Sequence, residues 1–391
     1  MKVRIRLLLI MLVLSSLILS GCWDRRELNE LALVMGVGVD VCPEEEEIDL
    51  TVQVIKTEAM PTPAGNGGSG GDEKQFWNVK RSGKNVFAVI RDFTHEVSRK
   101  LYFSHNQIII LGDELLEESG EKYLDFFVRD HESRLSVLVF AAEGKASDVL
   151  DVEPEITKIP AFDIASLAQM QANTSQTVSI RLIDFVNSMA SDSKEPVLPI
   201  LKIKNSDEGE IVEISGTAIF KDNKKVGELD ELETRGFKWA ANKIDGGVLD
   251  VRTDGGYVEV EIKSSDTKAM PKINDDGKIT IKIEIELEGI IGCVQDDIDL
   301  ESLEVIDKVE KDTEEFIKRE IENTFDITKR YGADIYGFGE LVEKYKYKQW
   351  HNYKDDWIQH FKEIELEIKA DVAILEPGGL VKSQFAKQGE K

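Results

Sequence analysis

Ile279-Thr280-Ile281-Lys282-Ile283-Glu284-Ile285-Glu286-Leu287 alternates an apolar residue with a polar one along its whole length. In an extended chain successive side chains point to opposite faces, so this is a strand with one apolar and one solvated face. Ile364, Leu366, Ile368, Val372 and Ile374 repeat the alternation further on. Between the two runs, Leu303, Ile306, Val309, Phe316, Ile317 and Ile321 return at helical spacing and predict a helix over 303–325. Shorter helices are predicted over 338–345 and 354–361. Two long strands bracketing helices predict an antiparallel sheet with helices packed on one face.

Upstream, residues 210–221 and 225–228 predict a hairpin turning at Asp222-Asn223. Asp230 with Glu233 makes a capping-box start for a helix through Trp239. Tyr257 to Lys263 alternates as a half-buried strand. In the first half, strands are predicted over 31–41, 48–57, 107–111 and 134–142. Ser82 is placed to cap a helix running to about Lys100, with Val86, Val89, Ile90, Phe93 and Val97 on one face. Further helices are predicted near 120–129, 162–171 and 180–190. The run from Pro61 to Asp72 is too rich in glycine and polar residues to pack. The fold class expected is α+β (mixed α/β), as three small domains of mixed sheets and helices. They are an N-terminal α/β domain over 22–200, a middle α/β domain over 201–270 and a C-terminal α+β domain over 271–380. Residues 1–21 precede them as a signal peptide, and 381–391 follow as a polar tail.

Composition narrows the function. A net charge of -26 offers no basic footprint for phosphates, so nucleic acid is excluded as the expected partner. The same acidity disfavours docking on anionic lipid through charge. An apolar content of 41% supports a folded chain. Three cysteines are a poor count for a disulfide framework, and two buried free thiols at Cys42 and Cys293 are expected over a bridge. No cysteine–histidine cluster suggests a metal, and no cofactor is expected.

Candidates for chemistry are few. Gly36-Val37-Gly38 lacks the third glycine of a dinucleotide fingerprint and is read as a close-packed strand or bulge. Gly337-Phe338-Gly339 precedes a helix and can present N–H groups to an anion; a helix entry is the preferred reading. His95, His105, His131, His351 and His360 form neither a zinc motif nor a nucleophile partnership. Glu44 to Glu47 reads as a solvated turn, without the ligand alternation of a calcium loop. Trp350, Tyr353 and Trp357 stand at offsets of three and four, on one side of a helix. Packing against the C-terminal sheet is their preferred role, with a partner-binding face as the other reading. No catalytic constellation emerges, and the expectation is a protein that is not an enzyme.

The amino terminus is more specific. Lys2, Arg4 and Arg6 precede an apolar stretch from Leu7 to Leu19, the arrangement of a secretory signal. As a helix that stretch would be about 20 Å long, short of the roughly 30 Å hydrocarbon core. Leu19-Ser20-Gly21-Cys22 is a lipobox, which predicts cleavage between Gly21 and Cys22, an S-diacylglycerol on Cys22 and an N-acyl chain. Several acyl chains hold a protein stably at a bilayer where one holds it only marginally. The other reading is an ordinary signal peptide with a coincidental cysteine. The expected location is the outer face of a membrane, anchored by lipid.

Cys22 is followed by Trp23-Asp24-Arg25-Arg26-Glu27-Leu28-Asn29-Glu30. Further along stand Arg81-Ser82-Gly83-Lys84-Asn85-Val86-Phe87, Ser104-His105-Asn106-Gln107 and Gly216-Thr217-Ala218-Ile219-Phe220. Then come Gly227-Glu228-Leu229, Glu233-Thr234-Arg235-Gly236 and Asp334-Ile335-Tyr336-Gly337-Phe338-Gly339, with Trp350 and Trp357 after them. In this order the segments resemble the Ger(x)C family, the C-subunit lipoproteins of spore germinant receptors. The resemblance implies a non-enzymatic receptor component of three mixed α/β domains on the outer leaflet of the spore inner membrane. It further implies membrane A and B subunits as partners and a role in nutrient-triggered germination. Only Cys22 carries over with a defined residue role. The alternative class is a lipoprotein that captures a solute for a transporter, for which two similar lobes and a hinge would be expected.

Overall fold

The computed structural model describes residues 4–6, 30–42, 47–56, 74–118, 120–207, 209–295, 298, 300 and 302–376. Cys22, its signature Trp23 to Leu28, the Glu-rich turn at 43–46, the loop over 61–72 and the tail over 381–391 lie outside the described residues.

A nine-stranded sheet organises the first half, in the order β3-β2-β1-β5-β6-β7-β8-β9 with β4 also beside β1. Its strands are β1 (Leu31–Cys42), β2 (Glu47–Ile55), β3 (Phe76–Gly83), β4 (Lys100–Tyr102), β5 (Ile108–Leu111), β6 (Leu138–Ala142), β7 (Val197–Ser206), β8 (Gly209–Lys221) and β9 (Lys224–Leu229). The centre, β1-β5-β6-β7, is parallel and the flanks are antiparallel. Central parallel strands are covered on both faces, which is why Ile108 to Leu111 is apolar without alternation. Ile109 and Leu111 join one core with Leu115, Leu124 and Phe127. Ile108 and Ile110 join another with Ala146, Leu150 and Ala161.

The helix predicted from Ser82 is different. Residues 76–83 form β3, and Ser82 Oγ donates to Asp49 Oδ1 on β2. The helix is α1 (Val86–Asp92), capped by Asn85, whose side chain accepts from Ala88 N–H. The sequence Asn-Val supplies a better cap-and-start than Ser-Gly, because glycine costs about 1 kcal/mol inside a helix. Between β5 and β6 lie α2 (Asp113–Glu118) and α3 (Glu121–Arg129), and between β6 and β7 lie α4 (Ala146–Asp151), α5 (Pro160–Gln171) and α6 (Leu182–Met189). The Gly36-Val37-Gly38 run is close packing: a Cβ at Gly36 would stand 2.9 Å from Ala161 Cβ, and one at Gly38 3.2 Å from Ala146 Cβ. Asp222 and Asn223 turn the β8–β9 hairpin with φ of 50° and 62°, as a two-residue turn of primed type requires.

A four-stranded sheet organises the second half: β10 (Gly247–Thr253), β11 (Gly256–Ile273), β12 (Ile279–Gln295) and β13 (Glu365–Glu376), in that order. Residues 201–270 are thus shared between the sheets, with β7 to β9 in the first and β10 and β11 in the second. The alternating strand is as expected, with Ile281, Ile283, Ile285 and Leu287 buried. Its pairing with β13 corrects the antiparallel expectation: β10 to β12 are antiparallel, but β12 and β13 run parallel, Ile283 beside Ile368. Helices make up most of the described part of the connection, and such a crossover brings the chain back in the same direction. They are α8 (Leu303–Tyr331), α9 (Phe338–Tyr345), α10 (Tyr347–Trp350) and α11 (Trp357–Glu363). The 29 residues of α8, about 44 Å of helix, lay Val309, Ile317, Ile321 and Phe325 into the core shared with the sheet.

Candidate functional site

The two halves are joined through α7 (Glu231–Ala240), and the polar atoms at that joint are buried. Asp230 and Glu233 form the expected capping box. Thr234 and Thr217 on β8 share a hydrogen bond of 2.9 Å between hydroxyls. Arg235 reaches Glu320 on α8 through Nη2 at 2.5 Å and Nε at 3.0 Å, and its Nη1 donates to the Val248 carbonyl. Trp239 Nε1 donates to the same carboxylate at 3.0 Å. Gly236 allows this approach, since a Cβ there would stand 2.4 Å from the Glu320 carbonyl oxygen. The run Glu233-Thr234-Arg235-Gly236 is therefore a packing device: Glu233 closes the cap of α7, and Thr234, Arg235 and Gly236 make its contacts with β8, α8 and β10.

Asp334 does similar work at the start of α9. Its carboxylate accepts from the backbone N–H groups of Gly337, Phe338 and Gly339 at 2.9, 3.1 and 2.9 Å, and from Trp357 Nε1 at 3.1 Å. The N–H groups of Gly337-Phe338-Gly339 are thus taken by the chain's own carboxylate. Burial pushes the Asp334 carboxyl up to about 6 while these four donors favour its charged form.

The aromatic segment lies within the core. Trp350, Tyr353 and Trp357 are all buried, Trp350 meets Trp357 edge-on with centroids 5.3 Å apart, and Tyr353 donates its hydroxyl to the Gly277 carbonyl. The partner-face reading of these three rings is corrected accordingly: their apolar area is spent on packing. Cys42 is half-buried and Cys293 exposed, both as free thiols, which corrects the expectation that both are buried. Cys293 sits on β12 opposite Glu259, where that strand's outward face is solvated. Among the described residues, no group of three or more His, Cys, Asp and Glu is arranged to hold a metal ion. Among them, too, no helix is long and apolar enough to cross a membrane.

Beside the joint is a cavity of about 630 Å³. One wall is the segment 177–181 with α6, another is Lys194 to Val197 leading into β7, and a third is α7 with the turn through Asp245. Val178, Phe185 and Phe237 make its apolar surface. Lys238 lines it from α7, 4% exposed, and donates to the Thr177 carbonyl at 3.1 Å. Burial holds the Lys238 ammonium down to about 8, with Asp245 opposing and Lys243 reinforcing that shift. Glu195, half-buried in the lining, is raised to about 7, first by burial and then by the charge of Asp222. Arg181 pairs with Asp184 through Nε and Nη2 at 2.7 and 3.0 Å.

The sequence reading singled out neither Lys238 nor Glu195. Lys238 stands in Phe237-Lys238-Trp239 inside an amphipathic helix, and a lysine between two buried aromatics is the one local signal available. Its cavity partner Thr177 is 61 residues away.

A parallel-centred sheet, a second sheet closed by a helical crossover and a joint of buried polar contacts define a fold shared with a solved protein. The crystal structure of the GerBC protein matches with a TM-score of 0.54 over 87% of this chain and 97% of that one, at 21% identity. Residues 24–203 match the family described as spore germination protein N-terminal domain, and residues 215–378 match spore germination B3/GerAC like, C-terminal. The chain belongs to the Ger(x)C family, the C subunits of spore germinant receptors. Among its relatives, spore germination protein KC of Bacillus subtilis (strain 168) is 28% identical, covering 98% of this chain and 99% of the relative. Spore germination protein B3 of the same organism is 24% identical over 93% and 95%.

Proposed function

We propose that this chain is the lipid-anchored C subunit of a germinant receptor, tethered through Cys22 and assembled with membrane A and B subunits to support nutrient-triggered germination. It acts by assembly and catalyses nothing. The observation that carries the reading is the ordered match of both family segments along nearly the whole chain, beginning two residues after Cys22. The lipobox Leu19-Ser20-Gly21-Cys22 supplies the anchor. Acyl chains on Cys22 confine an acidic body to the outer face of the spore inner membrane and raise its effective concentration for partners there.

The test is Cys22→Ala in the native spore former. Loss of fatty-acid labelling, release from the membrane fraction and a slowed nutrient response are expected. A normal response from unlipidated protein at normal abundance would overturn the tethering mechanism. Failure of the tagged wild-type chain to co-purify with A and B subunits would overturn the assembly.

A further inference from the structure

Lys194, Lys238 and Lys243 gather around one cavity in a chain whose net charge is -26. They repel one another: Lys243 acts on Lys238, and Lys194 on Lys243. Lys238 is the innermost. An ammonium has three donors, and Lys238 spends one of them on the Thr177 carbonyl. Among the described residues no carboxylate forms an ion pair with it; Asp245 acts on it from farther away. Lys243 holds its ammonium 5.6 Å from the centroid of the Phe237 ring, and Lys194 reaches Glu340 at 3.9 Å.

Burying a cation without a counter-charge is costly, and buried charges in folded chains are normally paired. Four carboxylates line the cavity, Asp184, Glu195, Asp245 and Glu340, and among the described residues none of them forms an ion pair with Lys238. Asp184 is held by Arg181, and Glu340 accepts from Ser191 Oγ at 3.1 Å. Val178, Phe185 and Phe237 leave an apolar wall beside the ammonium. At about 630 Å³ the space is of the size that takes small organic molecules.

We infer that this cavity binds a small organic monocarboxylate, its carboxylate on Lys238 and Lys243 and its apolar body against Val178, Phe185 and Phe237. Inorganic phosphate fits less well, because it leaves the apolar wall uncovered and brings a second negative charge towards Asp184, Glu195, Asp245 and Glu340. The site draws on both family segments and is independent of the germination reading.

The test is calorimetric titration and thermal shift of the full-length chain in detergent, with phenylacetate and butyrate as probes. Phenylacetamide and inorganic phosphate are the controls. Both carboxylates are expected to raise the melting temperature in a saturable way, phenylacetate more than butyrate, with weak or no response to the controls. Lys238→Met is expected to weaken phenylacetate binding about tenfold or more, the worth of one charge-assisted hydrogen bond. Asn187→Trp, an exposed position on the wall, blocks the space without touching the lysine, so it reads the site even if Lys238→Met folds poorly. Affinity in the wild type is expected to fall as pH rises, first near 7 as Glu195 gains its charge and then past about 8, where Lys238 loses its proton. Absence of any carboxylate response, equal binding of phenylacetamide, or unchanged affinity in Asn187→Trp would overturn the inference.

Discussion

Arg235 on α7 and Glu320 on α8 form a buried ion pair, their side chains 4% and 10% exposed, across 85 residues of sequence. The guanidinium donates from Nη1 to a backbone carbonyl of β10, and the carboxylate also accepts from Trp239 Nε1. Three segments converge on two side chains. Such a pair contributes less to net stability than to fixing which surfaces meet, since both charges must be desolvated.

Glu320→Leu or Arg235→Met is therefore expected to destabilise by about 3–5 kcal/mol, because each strands its partner in the interior. The double replacement Arg235→Met with Glu320→Leu should lose much less than the sum. Urea denaturation of the four chains measures this as a coupling energy. Simple additivity would show that the pair is not coupled.

Gly236→Ala tests the approach of α7 to α8. The new Cβ would meet the Glu320 carbonyl and the Thr324 hydroxyl, so the helices must separate. Overpacking of this kind costs about 1–3 kcal/mol, and it should weaken Arg235–Glu320 at the same time. Alanine is ordinarily the better helix former by about 1 kcal/mol, so any stabilisation would contradict the packing.

Asp334→Asn keeps the shape but replaces one acceptor oxygen with a donor that faces Gly339 N–H and Trp357 Nε1. A loss of about 2–4 kcal/mol is expected. The pH dependence has a definite sign. The folded carboxyl titrates near 6, above its ordinary value of 3.8, so the folded state binds the proton more tightly. This group's contribution to stability is full below about 3.8, falls as pH rises towards 6, and is level above that. The variant should lack that slope in melting curves taken from pH 4 to 7.

Lys238→Met has the opposite direction. The folded ammonium titrates near 8 and the unfolded one near 10.5, so between those values the unfolded chain holds more protons. Wild-type stability should therefore rise with pH across that window. At pH 7 the buried charge costs on the order of 3 kcal/mol, offset by about 1 kcal/mol for its hydrogen bond. Lys238→Met is expected to be more stable than wild type at pH 7 by about 1–2 kcal/mol, a difference that shrinks above pH 8 and reverses towards pH 10.5. Destabilisation at pH 7 would mean the ammonium is paired.

Much of the local structure was legible because its causes are local. The Ile279 to Leu287 alternation, the Asp222-Asn223 turn and the Asp230–Glu233 capping box each depend on residues within a few positions, and each lies where periodicity or turn chemistry puts it. The helix start at Ser82 failed for the same reason in reverse. β3 exists because β2 is there to pair with it, and pairing with a distant strand overrides a nearby cap.

Sequence alone determined the acidic body and the identities of most strands and helices, since these are properties of composition and of neighbouring residues; the anchor proposed at Cys22 likewise rests on its neighbours alone. Tertiary structure alone decided three things. It set β13 parallel to β12, divided residues 201–270 between two sheets, and assembled Thr177, Lys238 and Lys243 around one cavity. Strand direction follows from where a crossover returns the chain. A site follows from which distant carbonyls and charges are brought within a few ångströms. Neither is written in the spacing of residues along the chain.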